Sequence, residues 1–292
     1  MLLTTVIMTR NELRNIEGAV RSCAGLPGEI LVVDHMSGDG TPDAARSLGC
    51  RVLSEALPDI SQARNLAVSE AAGDWLLFLD ADERLTPKLI SLISRHIEKS
   101  PGRCASFTRE NVAFGRRMRF GPLWPDRVVR LFPKGSVSWE GLVHERPVTE
   151  APATALKGSV THFTYPDYRA YLDKQALYAR LWAENARRAG RRATAWKAFS
   201  RAFFAFLKMA FLKLGLLDGP AGWCLCWYYS GAYTMAKYLL LADSGAAAAA
   251  KAEDEAAEPE KPAGQVKAGK AWVAENSAEA GEAGDATPRK AG

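Results

Sequence analysis

The feature that most constrains this chain is the change of hydrophobic period within its first eighty residues. Apolar runs at residues 3–8 and 30–33 have the length and β-branched content of buried strands, whereas Leu13, Ile16 and Val20 between them recur at helical spacing. The alternation continues with a helix predicted after Thr41, a short strand over residues 51–53, a helix over 61–72 and the run Trp75-Leu76-Leu77-Phe78-Leu79. Strands that are apolar throughout must be covered on both faces, and helices in every connection make them parallel. Four parallel strands with right-handed crossovers are therefore expected.

Beyond this the pattern changes twice. Residues 101–166 are rich in Gly, Pro, Arg and Trp and read as short β-like pieces, an antiparallel or looped recognition region. Residues 167–243 are helical, and positions 187–213 within them carry eight basic residues and no acidic one. Trp196, Phe199, Phe203, Phe204, Phe206 and Phe211 are interleaved with these bases, which makes a basic amphipathic surface. Residues 220–242 are uncharged except for Lys237 and are barely long enough to span a bilayer, so an interfacial or core-packed helix is an equal expectation. Residues 244–292 are dominated by Ala, Glu, Lys, Gly and Pro and are predicted to be disordered. That tail holds 6 of the 38 Lys and Arg and 9 of the 33 Asp and Glu, which leaves the body at +8 and the tail at −3.

Five cysteines, odd in number and without a Cys-x-x-Cys pair, argue against a disulfide framework or a zinc site and fit a reducing cytoplasm. The opening apolar stretch is cut short by Arg10, Asn11 and Glu12, unlike a secretion signal.

In an open parallel sheet, ligands gather at the carboxyl ends of the strands. The first predicted strand ends in Thr9-Arg10-Asn11-Glu12, where Asn11 can cap a helix and Glu12 sits in its first turn. The second ends in Asp34 and the loop His35-Met36-Ser37-Gly38-Asp39-Gly40-Thr41, a turn that can equally serve a base or ribose. The fourth runs straight into Asp80-Ala81-Asp82-Glu83. In extended backbone the carboxylates of Asp80 and Asp82 point the same way, and two such charges call for a cation; hard oxygen ligands suit Mg²⁺ or Mn²⁺ that also binds phosphates. Arg64 and Asn65 open the preceding helix, where they can reach a diphosphate or base, against the plainer reading of a solvated Arg. His35 and His96 have no chemical company in the sequence and are left out of the site.

Taken together, Thr9-Arg10-Asn11-Glu12, Asp34 with Ser37-Gly38-Asp39-Gly40-Thr41, Ala63-Arg64-Asn65 and Phe78-Leu79-Asp80-Ala81-Asp82-Glu83 resemble family 2 glycosyltransferases. The likeness runs over residues 1–243 and is nearest to bacterial lipopolysaccharide core glycosyltransferases, with later motifs at Pro125-Asp126-Arg127-Val128-Val129-Arg130-Leu131-Phe132, Val143-His144-Glu145 and His162. It implies an α/β, Rossmann-like GT-A fold over residues 1–166, with a nucleotide-sugar-binding half at 1–100 and an acceptor half at 101–166. It implies an inverting, metal-dependent transfer from a nucleotide sugar, of UDP-hexose type, to a lipid-linked saccharide. Asp80 and Asp82 become the metal and donor-phosphate residues, with His162 completing the metal shell. Thr9, Asn11, Glu12, Asp34, Asp39, Arg64 and Asn65 line the donor, His144 orients the acceptor or Glu145, and Glu145 is the base, with Asp126 as second candidate. His35, Met36 and Gly38 depart from the family's usual loop.

The basic aromatic stretch suits the inner face of the cytoplasmic membrane and an anionic glycolipid acceptor rather than nucleic acid, since no nucleic-acid-binding fold is recognisable. A nicotinamide-dependent oxidoreductase would need Gly-x-Gly-x-x-Gly after the first strand, and a sugar nucleotidyltransferase a glycine-rich phosphate loop there. A non-catalytic membrane-associated scaffold of the same fold remains the alternative from outside enzymology.

Overall fold

The computed structural model describes residues 1–57, 59–141 and 146–243. Strand β1 (Leu3–Thr9) is buried along its length, helix α1 (Leu13–Ser22) turns Ile16, Ala19 and Val20 onto it, and β2 (Gly28–Asp34) returns parallel. Gly28 is required at that entry: its φ is +116°, and a Cβ there would lie 2.0 Å from the carbonyl oxygen of Leu3. Helix α2 (Thr41–Ser47), β3 (Arg51–Ser54), α3 (Ile60–Glu70) and β4 (Trp75–Asp80) complete a parallel set in the order β3-β2-β1-β4. Phe78, Leu76 and Val6 pack with Ala63 and Ala67 of α3 on one face, and Leu77, Leu79 and Ile7 with Ile16 of α1 on the other, which is why these strands carry no polar alternation.

A tight turn at residues 81–82 leads to β5 (Glu83–Leu85) and α4 (Pro87–Lys99), which Thr86 caps by accepting from the Leu89 amide. The region expected as short β-like pieces instead holds two long strands, β6 (Cys104–Ala113) and, further on, β11 (Ala153–Tyr165). They pair in parallel with each other, and β6 joins β4 through the antiparallel β8 (Arg127–Pro133), after the two-residue β7 (Arg116–Arg117). Among the described residues the result is one nine-stranded sheet, β3-β2-β1-β4-β8-β6-β11-β5 with β7 on β6. A small hairpin of β9 (Ser138–Glu140) and β10 (Arg146–Val148) stands apart from it. The sheet is mixed rather than uniformly parallel, and the change of direction falls at β4, beside the Asp80–Asp82 segment.

Helix α5 (Tyr168–Arg188) follows at once, capped by Asp167. Helix α6 (Ala195–Leu207) runs into a π turn at Lys208–Leu212 and a 3-10 turn at Gly215–Asp218. Helix α7 (Gly219–Tyr228) continues through a π turn at Tyr229–Met235 and stays helical to residue 243. Tyr171 of α5 and Ala221 and Leu225 of α7 share a core with Ala113, Met118 and Tyr165, so these helices pack against the ends of β6 and β11. No helix among the described residues is long and apolar enough to cross a membrane.

Candidate functional site

Strand register brings the key positions to one rim: Thr9 pairs with Asp34 across β1 and β2, and Met8 with Asp80 across β1 and β4. The loops after β1 and β2 are laced together. The Asn11 amide donates to the Ser37 hydroxyl (2.7 Å), and the Gly38 amide donates to the Asn11 side-chain oxygen (2.9 Å). Asp34 accepts from the Ser37 amide (2.9 Å) and hydroxyl (2.5 Å). Helix α1 is capped from across this junction: the Glu12 amide donates to the Thr41 hydroxyl (2.9 Å) and the Leu13 amide to Asp39 (3.0 Å). Asn11, expected as the cap, holds a φ of 53° and serves the lacing instead. Hydrogen bonds from Thr41 hold the Asp39 carboxyl below its ordinary value. Asn11, Asp34 and Asp39 thus build the rim, while Thr9 and Glu12 face the cleft beside it. The Thr9 hydroxyl is buried with no hydrogen-bond partner among the described residues, and burial pushes the Glu12 carboxyl up although Asn15 donates to it at 2.7 Å.

Asp80 is gripped by guanidinium groups. Arg130 of β8 forks onto it at 2.6 and 3.5 Å, Arg64 of α3 reaches it at 3.3 Å, and an Arg109 nitrogen of β6 stands 3.9 Å away. Arg64 is no solvated helix residue: it is buried, with its guanidinium 4.4 Å from the Trp139 ring. Behind Asp80 lies Glu83, fully buried, which accepts from the Asp80 amide at 3.0 Å. Burial and the neighbouring Asp80 charge push its carboxyl up to about 7, against the opposing pull of Arg130 and Arg109.

Asp82 keeps different company. Because the chain turns at residues 81–82, the two aspartates do not project as the matched pair that an extended backbone would give. Asp82 faces His162 of β11, with Oδ2 and Nε2 3.3 Å apart. The Asn111 amide group donates to the Leu123 carbonyl (2.9 Å), so its oxygen is the side turned to His162 Nδ1 at 2.6 Å. That bond places the proton on Nδ1 and directs the Nε2 lone pair at Asp82. A lone pair and a carboxylate oxygen at such a distance need a proton or a cation between them. Asp82 and His162 therefore fit a divalent ion as two protein ligands, leaving further positions for phosphate oxygens. Among the described residues no three His, Cys, Asp or Glu side chains converge on a point, so a metal site supplied wholly by protein is not formed there.

These groups share a cleft of about 470 Å³. Besides Glu12, Asp80 and Asp82, its charged lining is basic: Arg10, Arg64, Arg109, Arg127, Arg130 and Lys174. Arg109, Arg127, Arg130 and Lys174 were not among the residues expected from sequence. Arg130 had a visible signal, as the one charge inside the run Val128-Val129-Arg130-Leu131-Phe132. His35, set aside in the sequence, lines the cleft, whereas His96 is buried and bonded to the Arg103 carbonyl at 2.8 Å.

Two expected residues turn elsewhere. Asn65 does not line the cleft; it donates to the Trp139 carbonyl (2.9 Å) and accepts from the Trp139 amide (2.8 Å), fastening β9 to α3. Asp126 is forked by Arg109 at 2.8 and 3.3 Å and also accepts from Asn111 at 3.3 Å, which engages the lone pairs a general base would need. His144 and Glu145, like the tail at 244–292, lie outside the described residues.

The model of a family described as glycosyl transferase family 2 matches residues 4–175. An uncharacterised glycosyltransferase of Rickettsia prowazekii is 24% identical over 236 residues, which cover 75% of this chain and 80% of that one. One from Rickettsia bellii is 34% identical over 87 residues, 30% of each chain. Among solved structures, mannosyl-3-phosphoglycerate synthase from Rubrobacter xylanophilus is 26% identical over 39% of this chain and 41% of its own, with a TM-score of 0.34. Glucosyl-3-phosphoglycerate synthase from Mycobacterium tuberculosis, in complex with Mn²⁺ and UDP-glucose, is 22% identical over 38% of this chain and 44% of its own, with a TM-score of 0.34. The chain thus spans less than half the length of either synthase. Residues 1–349 of S. aureus TarS give 13% identity over 85% of this chain and 92% of that one, with a TM-score of 0.41.

Proposed function

The chain belongs to glycosyl transferase family 2, and on that premise we propose that its cleft takes a nucleotide sugar, of UDP-hexose type, with Mg²⁺ or Mn²⁺ and passes the sugar with inversion to a lipid-linked saccharide such as a lipopolysaccharide core. The observation that carries this reading is the pairing of Asp82 with His162 at the rim of a cleft whose other charges are mostly guanidinium groups.

Asp82 and His162 would hold the ion, which when bound neutralises charge on a departing diphosphate. Asp80 has a different part in this scheme. By forking with Arg130 and meeting Arg64, it orients guanidinium groups that have five N–H donors each and so keep donors for phosphate oxygens. Glu12 and Thr9 take the nucleoside side, the Thr9 hydroxyl gaining there the partner it lacks. An inverting transfer also needs a base for the acceptor hydroxyl. Glu145 is our candidate, two residues before Pro147, which lines the cleft, and Asp126 is set aside because its oxygens are engaged.

Thermal unfolding with nucleotide sugars, with and without Mn²⁺, tests the reading. One donor should stabilise the protein only when the ion is present, and Asp82→Ala and His162→Ala should each abolish that shift. Release of the nucleoside diphosphate should follow the same pattern. Stabilisation by no donor, or an unchanged Mn²⁺-dependent shift in both variants, would overturn it.

A further inference from the structure

Away from the cleft, α6 is built inside out. The residues it buries are small, Ala198 and Ala202, while Trp196, Phe199, Phe203 and Phe204 stand 58 to 80% exposed. Ten of the seventeen exposed large hydrophobics in the described residues fall between 196 and 227. They form one surface: Phe206 packs its ring against both Trp223 and Trp227 of α7, at 6.1 and 5.9 Å. Soluble surfaces seldom gather so many apolar side chains without something to cover them.

Charge narrows what covers it. On α6, Trp196, Phe199 and Phe203 recur at i, i+3 and i+7, and Lys197 and Arg201 form an adjoining stripe that Lys208 extends into the π turn. All three bases are exposed, as are Arg191 and Arg192 just before the helix. Lys213 adds to the same field, its ammonium pushed down by burial and by the like charge of Lys208. The acid nearest in sequence, Asp218, is turned inward, where it accepts from the Arg119 and Phe120 amides at 2.9 to 3.1 Å. The face is thus apolar at its centre and uniformly cationic along one side.

We propose that this face, centred on Phe199, Phe203, Trp223 and Trp227 and edged by Lys197, Arg201 and Lys208, seats the protein on an anionic lipid bilayer. The aromatic rings enter the interface while the flanking ammonium and guanidinium groups meet phosphate headgroups. The helices lie along the surface, consistent with the absence of a helix long and apolar enough to cross it among the described residues. The seating goes beyond the catalytic reading, because none of these residues lines the cleft.

Sedimentation of the full chain with vesicles of phosphatidylcholine, alone or mixed with phosphatidylglycerol, tests it. The wild-type chain should bind the mixed vesicles and shift its tryptophan emission to the blue. Phe199→Ser/Phe203→Ser/Trp227→Ser should weaken binding by about tenfold or more, and Lys197→Gln/Arg201→Gln/Lys208→Gln should remove the preference for anionic vesicles. Every replaced side chain is exposed, so both variants should unfold at the wild-type temperature and keep any donor-dependent thermal shift. Binding that survives the aromatic replacement, or a wild-type chain that ignores both vesicles, overturns the proposal. So does a wild-type dimer in solution that the aromatic variant dissolves, which would assign the face to a second copy. Failure of donor binding with vesicle binding intact would count against the catalytic reading alone.

Discussion

Strand β4 and helix α6 have much the same apolar content and opposite uses for it. In β4, Trp75, Leu76, Leu77, Phe78 and Leu79 are all buried, and the one side chain partly open to solvent is Asp80 at the end. In α6 the alanines are buried and the large rings are out. Hydrophobicity along a sequence therefore says how much surface wants to leave water, but only packing says whether the protein itself will cover it. In β4 that surface stabilises the fold; in α6 it is left for something else.

The comparison is broken or sharpened by substitution, and the largest effect should come from the strand. Phe78→Ala removes a ring packed between Phe132 and Trp139 and should cost about 4 kcal/mol in urea unfolding. Next comes Arg130→Ala at about 3 kcal/mol, because it withdraws the shortest partner of a largely buried carboxylate, although Arg64 still reaches it. It should also weaken donor binding, measured by the same thermal shift. Asn65→Ala strands both backbone groups of Trp139 and should cost about 2 kcal/mol, read by thermal or urea unfolding. Smallest of all, Phe203→Ser on α6 should change unfolding by less than about 0.5 kcal/mol. A loss there as large as that at Phe78 would mean that α6 is part of a hidden core, and the contrast would fail.

The same contrast explains what could be read from the sequence. The alternation that builds β1 to β4 is local, so the parallel half and the carboxyl end of β4 were legible directly. Strands β6 and β11 were not: they pair across some fifty residues, and Thr, Glu, Asn, Gly and Lys interrupt their apolar pattern, so they read as fragments. The carboxylates were found but their partners were not, because Arg64, Arg109 and Arg130 come from three different elements to meet one aspartate. The turn that separates Asp82 from Asp80 and aims it at His162 was equally invisible, since the tripeptide reads the same in either backbone. Asn65 was misread because its partner, the backbone of Trp139, leaves no mark in a side-chain pattern. The aromatic and basic stripes of α6 were plain in the sequence; what the fold adds is that alanines take the inner face.

Helix α3 links the two sides of the cleft. Arg64 reaches inward to Asp80, while its neighbours Ser61 and Asn65 donate to the Gly141 carbonyl (2.6 Å) and the Trp139 carbonyl (2.9 Å), at the base of the β9–β10 hairpin. Eleven residues thus act as a common ruler for two binding partners. A sideways slip of this one rod would displace both together, so the spacing between what arrives from one side and what waits on the other is set before either is bound.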